Sequence, residues 1–301
     1  MIIIRMTGGL GNQMFQYALF LKLQSQDKMV KLDDKTEYEN QDARDVTLWA
    51  FGISYEAATK DDIIKLTDGS LELWHRIRRK LFGRRSLIYC EQDINFDPEV
   101  LDKNNAYLTG YFQSEKYFKD IELIVRKTFQ FIPHIYENVP AELAKQIKKY
   151  QNQIQNSDAV SVHIRRGDYL DKRELYGDIC TEEYYQKAVT IIKEQCPEAT
   201  FFIFSNDPEW SKKRIEELYG ASKRVIIIEG TTEDTGYLDM MLMSQCKHHI
   251  IANSSFSWWG AWLSTYESKM VIAPAKWNNF MEQTDIYTED MIRVTSDGEL
   301  V

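Results

Sequence analysis

Between residues 159 and 273 the chain switches repeatedly between short apolar runs and longer segments with helical spacing. Residues 159–164 (Ala-Val-Ser-Val-His-Ile) alternate small or apolar with polar side chains, a strand pattern. Thr181 opens a helix to Glu194, with Tyr184, Ala188, Ile191 and Ile192 on helical spacing. Residues 200–204 form a β-branched and aromatic run, a strand. Pro208 then suits the first turn of a helix running to Tyr219. A strand at 224–228, a helix at 232–246, a strand at 249–252, a helix at 255–264 and a strand at 270–273 follow, the last ending at Pro274. Five strands alternating with helices predict a parallel α/β sheet with right-handed crossovers.

The first half shows the same pattern less regularly. A strand is predicted at 1–6, a glycine-rich turn at 7–12, a helix from about Gln13 to Ser25 and a second strand at 30–32. From about Glu37 to Ser86 the pattern is broken and charged. It resumes at 106–110 and in a helix at 119–128. Residues 145–157 are polar and rich in Gln and Asn, and the domain boundary is set there. This gives one domain over 1–155 and a second over 156–301. No internal repeat and no low-complexity segment is visible.

Composition limits the possible functions. The chain has 301 residues, 44% of them hydrophobic and 13% aromatic, enough for packed cores and incompatible with intrinsic disorder. A net charge of −9 argues against nucleic acid as a partner. The longest uncharged run, 250–266, carries Asn253 and four serines, so it does not read as a membrane span. The opening Met1-Ile2-Ile3-Ile4-Arg5 is too short for a secretory signal, and the expected location is cytoplasmic. Cys90, Cys180, Cys196 and Cys246 form no C-x-x-C pair and are expected to be reduced, buried, small apolar residues. No Cys/His cluster has zinc spacing, so no metal is expected.

Four segments carry candidate chemistry. Gly8-Gly9-Leu10-Gly11-Asn12-Gln13 joins a strand to a helix. It is neither a complete dinucleotide fingerprint nor a P-loop. It is either an anion site at a helix N-terminus or simply a tight turn. Val162-His163-Ile164-Arg165-Arg166-Gly167-Asp168 ends a predicted strand, at the edge where open α/β sheets bind ligands. Two guanidinium forks there suit a phosphate or diphosphate, with Asp168 orienting an arginine or bonding a ligand hydroxyl. The bland alternative is a surface Arg–Asp pair with a satisfied core histidine. In Phe204-Ser205-Asn206-Asp207-Pro208, either Ser205 and Asp207 bond a nucleoside base or ribose, or Asn206 or Asp207 simply caps the helix that Pro208 opens. In Asn253-Ser254-Ser255-Phe256-Ser257-Trp258-Trp259, the polar loop can take a phosphate at a capped helix start. Trp259, Trp262 and Leu263, on helical spacing, read as core.

A fifth segment stands out in an acidic chain. Residues 74–86 contain Arg76, Arg78, Arg79, Lys80, Arg84 and Arg85 and no acid. It reads either as a solvated loop or as a contact with an anionic inner-membrane surface or a diphosphate-linked glycan.

Taken in order, Gly-Gly-Leu-Gly-Asn-Gln-Met-Phe-Gln-Tyr, His-Ile-Arg-Arg-Gly-Asp, Phe-Ser-Asn-Asp and Ile-Ala-Asn-Ser-Ser-Phe-Ser-Trp-Trp-Gly resemble the bacterial α-1,2-fucosyltransferases, over residues 1–277. The resemblance implies a GT-B-like α/β fold of two facing Rossmann-like domains with parallel sheets, an acceptor-side N-terminal one and a GDP-fucose-binding C-terminal one. It implies inverting, metal-independent transfer of L-fucose from GDP-β-L-fucose, with no cofactor, to the 2-hydroxyl of a galactose in an oligosaccharide, lipid-linked if assembled at the membrane. His163 and Asp207 are then expected at the nucleoside, Arg165 and Arg166 at the diphosphate, and Ser205, Asn253, Ser254, Ser255 and Phe256 around the donor. Gly9, Gly11 and Asn12 are expected to face the donor phosphates and the acceptor. Asn206 stands where the family's third motif has Asp. The absence of any Asp-x-Asp agrees with a site in which arginines and a helix terminus neutralise the leaving diphosphate without a cation. Other linkages or donors, and a non-catalytic nucleotide-binding protein, remain alternatives.

Overall fold

The computed structural model describes residues 1–36, 46–165, 173–219 and 224–301, with backbone alone over 215–219. The chain divides into two compact units, Met1–Gln130 and Phe131–Val301. Each is built on a parallel sheet.

In the first unit β1 (Ile2–Arg5), β2 (Val30–Asp33), β3 (Ile88–Cys90) and β4 (Ala106–Thr109) pair in the order β2-β1-β4-β3. Ile2, Ile3 and Ile4 are fully buried, as a continuous apolar run covered on both faces must be. The helix Leu10–Ser25 packs against this sheet, and Phe15 and Phe20 are among its buried side chains. Chain order reverses around β1, since β2 lies on one side of it and β4 on the other.

The second unit carries β5 (Ala159–Ile164), β6 (Thr200–Ser205), β7 (Val225–Ile227), β8 (His248–Ile250), β9 (Val271–Pro274) and β10 (Met291–Val294) in the order β10-β9-β8-β5-β6-β7, all parallel. Here the order reverses around β5, flanked by β6 and β8. The helix Ser255–Leu263 is buried along most of its length, with Trp258 and Trp259 at zero exposure and Trp262 nearly so. The tryptophans are core, as their spacing predicts.

Several sequence expectations need correction. The second sheet has six strands where five were expected. The sixth, β10, is a short half-buried edge strand whose Met-Ile-Arg-Val pattern is too brief to show a period. The polar stretch 145–157 forms most of the helix Ala141–Gln155, whose buried stripe of Ile147, Tyr150 and Ile154 is hidden among glutamines and lysines. Within the broken segment lie two helices, Lys60–Thr67 and Leu73–Phe82. The basic residues read as part of a loop therefore sit largely on a helix. Of the cysteines only Cys246 is fully buried, and Cys90 is exposed at the end of β3.

Candidate functional site

Open parallel sheets bind ligands outside the C-terminal strand ends, where the strand order reverses, because the two loops there turn away from each other and leave a crevice. In the second unit that point lies between β5 and β8. β5 delivers His163 and, just past its end, Arg165. β8 delivers the turn Ala252–Asn253–Ser254 that starts the Trp-rich helix.

The two loops are tied together. His163 Nδ1 lies 2.9 Å from the Ser257 hydroxyl, and its ring sits 5.8 Å from that of Phe256. Tyr185 donates to the His163 carbonyl at 2.8 Å. Burial pushes the imidazole pKa down to about 3, aided by the Arg165 charge, so His163 is neutral at physiological pH. Neighbouring Arg165 is half-buried. Arg166 and Asp168 lie outside the described residues.

Ser254 caps the Trp-rich helix, its hydroxyl accepting from the Phe256 amide at 3.3 Å. Ser255 and Phe256 are half-buried in the first turn, where helix N–H groups and the positive end of the dipole favour an anion. Asn253 is buried and its side chain serves the scaffold, donating to the Trp277 carbonyl at 3.1 Å and accepting from the Cys180 thiol at 3.5 Å. On the far side of β5, Ser205 pairs in register with Ile164. Here the capping alternative describes the contacts. Ser205 Oγ accepts from the Asp207 amide at 3.0 Å and from Ser211 Oγ at 2.8 Å, while Asp207 Oδ1 accepts from the Trp210 amide at 3.2 Å.

Sequence reading missed Asp239, a lone carboxyl in the apolar run Tyr237–Met243. It lies in the first turn of the helix Gly236–Ser244, and the first residue of that helix, Gly236, approaches the Phe256 ring. Thr231 donates to Asp239 Oδ2 at 3.0 Å, while buried Oδ1 has no partner among the described residues. Burial raises this carboxyl to about 7. A single acid interrupting a hydrophobic helix was the available signal.

In the first unit the reversal lies between β1 and β4, and the glycine turn follows β1. Gly8 is the residue that must be glycine. Its φ is +76°, and a Cβ there would lie 2.4 Å from Asn12 Nδ2. Gly9 is the helix N-cap in extended backbone, and Gly11 is buried in the first turn. Lacking side chains to cap with, the turn is held by its neighbours. Gln13 donates to the Gly8 carbonyl at 3.0 Å, and Gln16 accepts from the Thr7 amide at 3.1 Å while donating to the Gly110 carbonyl at 2.9 Å. Gln113 donates to Asn12 Oδ1 at 2.7 Å. The turn after β1 is thereby joined to the loop after β4.

Beside it lies a cleft of about 310 Å³ lined by Arg5, Thr7, Cys90, Glu91, Thr109, Gly110 and Tyr111, all at strand ends. Glu91 was not singled out from sequence, because nothing marks one acid in a charged, irregular stretch. Its carboxylate accepts the Tyr111 amide at 2.7 Å and the Phe112 amide at 3.0 Å. Phe112 is buried with φ at +52°, a costly conformation for a bulky residue. A Cβ on Gly110 would meet the Glu91 side chain at 2.5 Å, so glycine is required there by close approach. Burial raises the Glu91 carboxyl to about 7, against the pull of its two amide partners.

Among the described residues no group of three or more His, Cys, Asp or Glu side chains is arranged to hold a metal ion. No helix among them is long and apolar enough to cross a membrane.

The family model described as glycosyl transferase family 11 matches residues 96–294. An α-1,2-colitosyltransferase of Escherichia coli is 34% identical over 288 residues, covering 92% of this chain and 92% of that protein. The O-antigen biosynthesis glycosyltransferase WbnK of Escherichia coli is 32% identical over 286 residues, covering 90% of this chain and 93% of its own. Human galactoside α-(1,2)-fucosyltransferase 1 is 27% identical over 159 residues, 52% of this chain and 42% of that protein.

Proposed function

Because the chain belongs to glycosyl transferase family 11, and is thus a glycosyltransferase, we propose that it transfers L-fucose from GDP-β-L-fucose to the 2-hydroxyl of a galactose in a glycan, with inversion and without a metal ion. The observation carrying this reading is the reversal point between β5 and β8. A guanidinium, a neutral imidazole and a serine-capped helix start share one strand edge there.

Arg165 holds the β-phosphate and stabilises the charge that builds on the diphosphate as the C1–O bond breaks. Keeping His163 neutral matters, since it can anchor Ser257 and still offer its second ring nitrogen to the nucleotide. The first turn of the Trp-rich helix, with Ser254, Ser255 and Phe256, completes the anion site. Asp239, whose buried Oδ1 has no partner among the described residues, is assigned to accept a hydroxyl of the donor. Its raised pKa is the price of burial, and a ribose hydroxyl would satisfy the orphaned atom.

The acceptor is assigned to the first unit. Glu91, with each oxygen bonded by one amide and retaining a further lone pair, can accept a bond from an acceptor hydroxyl and take up its proton. A galactose-containing glycan on a lipid carrier is the expected acceptor class.

One observation favours a second donor, the similarity to a colitosyltransferase. Colitose is fucose without its 3-hydroxyl. The two donors separate sharply, because a site built to bond a hydroxyl rejects the analogue lacking it by roughly 10⁴-fold or more. The test offers the purified chain GDP-fucose and GDP-colitose with a panel of β-galactosides, with and without EDTA, and assigns the product linkage. An EDTA-insensitive α-1,2-fucosyl galactoside is expected. Transfer of colitose alone would move the reading to the second donor, and loss of activity in EDTA would end its metal-free part.

A further inference from the structure

The helix Leu73–Phe82 is amphipathic in the reverse of the usual sense. Leu73, Trp74, Ile77 and Leu81, at i, i+1, i+4 and i+8, form one stripe. Such a stripe ordinarily faces a core, yet none of this helix is buried, and these four are exposed by 67%, 78%, 39% and 69%. The helix is fastened to the protein through its polar side. Arg78 pairs with Asp68, and Arg79 donates to the carbonyls of Asp68 at 2.8 Å and Ser70 at 2.5 Å. Asp68 also accepts the Arg85 amide at 2.9 Å, which fixes the chain just beyond the helix. With these bonds facing inward, the apolar stripe is turned to solvent.

Charge identifies what covers it. Arg76 and Lys80 border the stripe one turn apart, and Arg84 and Arg85 follow Gly83. All four are exposed and have no ion pair among the described residues. No acid occurs between Glu72 and Glu91 in a chain of net charge −9. A second copy docking stripe to stripe would bring these basic borders together, and like charges would oppose it. An anionic bilayer satisfies both features, taking the apolar side chains into the acyl boundary and the cations at the phosphates.

We propose that the helix Leu73–Phe82 lies flat on an anionic lipid surface, with Leu73, Trp74, Ile77 and Leu81 inserted and Arg76, Lys80 and Arg84 at the headgroups. Arg78 and Arg79 are its struts to the protein. The inference rests on this helix alone and is independent of which sugar is transferred.

The full chain is tested by flotation with phosphatidylethanolamine vesicles in which roughly a third of the lipid is phosphatidylglycerol, against phosphatidylcholine alone. Binding to the anionic vesicles, weakened by salt, is expected, with a blue shift of tryptophan emission that Trp74→Phe removes. Replacing Arg76, Lys80 and Arg84 by serine should cost about fivefold in partition per residue, on the order of 100-fold together. Ile77→Ser with Leu81→Ser should abolish insertion while thermal unfolding stays unchanged, which separates lost docking from lost folding. Anionic-vesicle binding that is absent, or that survives both sets of substitutions, overturns the proposal. So does a lipid-free dimer in sedimentation that Leu81→Ser dissociates, because that outcome assigns the stripe to a second copy.

Discussion

The two strand-end crevices use the same topology and opposite chemistry. At β5 and β8 the loop is self-sufficient, since Ser254 caps its own helix and Asn253 locks the turn to Trp277 and Cys180. What that strand edge carries is a half-buried guanidinium and an imidazole that burial keeps neutral. At β1 and β4 the loops are glycine-rich and cannot cap themselves, so glutamines and Asn12 hold them from the side. What faces that crevice is a half-buried carboxyl raised to about 7 beside a phenylalanine in left-handed backbone. An edge carrying guanidinium and helix N–H groups suits an anion. An edge carrying a carboxyl poised near neutrality suits hydroxyls and their protons.

The strongest way to break this contrast is at the charged groups. Arg165→Ala should lower kcat by roughly 10²–10³ with the fold intact, the loss typical of one missing donor to a developing anion. Glu91→Gln should cost less, on the order of 10², and change the shape of the pH profile. With its carboxyl at about 7, Glu91 is protonated below that pH, so the rate should rise as pH increases through 7 in the parent and stay flat in the variant. Superimposable pH profiles would remove Glu91 from the acceptor side.

A smaller effect should appear in stability. His163 titrates near 3 when folded and near 6.5 when unfolded, so between these values the unfolded state binds the extra proton. Its contribution is fully present above about 6.5 and is lost as pH falls toward 3, at up to ~1.4 kcal/mol per pH unit. His249, held neutral by burial, acts in the same direction. Urea unfolding between pH 7 and 5 followed by tryptophan emission should show this loss, and His163→Gln should reduce its slope. An unchanged slope would mean that His163 is not the buried neutral group. The smallest effect is local. Ser254→Ala should destabilise by about 1 kcal/mol in the same assay, as for the loss of an N-cap. A larger cost would show that the serine loop holds more than its helix.

Much of the second unit could be read in advance, and less of the first. The strand at 159–164 and the Trp-rich helix announce themselves because each repeats its period and buries nearly every side chain that carries it. The helix Ala141–Gln155 buries only three residues among many polar ones, and the same composition also fits a linker. The helix Leu73–Phe82 has a clear period, but its clustered arginines suggest a solvated loop. Among the site residues, His163, Arg165 and Ser254 were legible because they sit at strand and helix boundaries that the pattern locates. Glu91 and Asp239 were not, because a single carboxyl gains its character from what buries it.

By itself the sequence determined the alternation of strand and helix, the glycine and serine turns at two strand ends, and the four ordered motifs that resemble the fucosyltransferases. Those features depend on neighbours a few residues apart. Only the tertiary structure decided that both motif-bearing turns fall where strand order reverses, since that requires knowing which strands pair. It also decided that His163 is neutral, that Glu91 and Asp239 are raised, and that an apolar stripe faces outward. These depend on burial and on partners distant in the chain, such as Asp68 beneath Arg78 and Gly110 beneath Glu91.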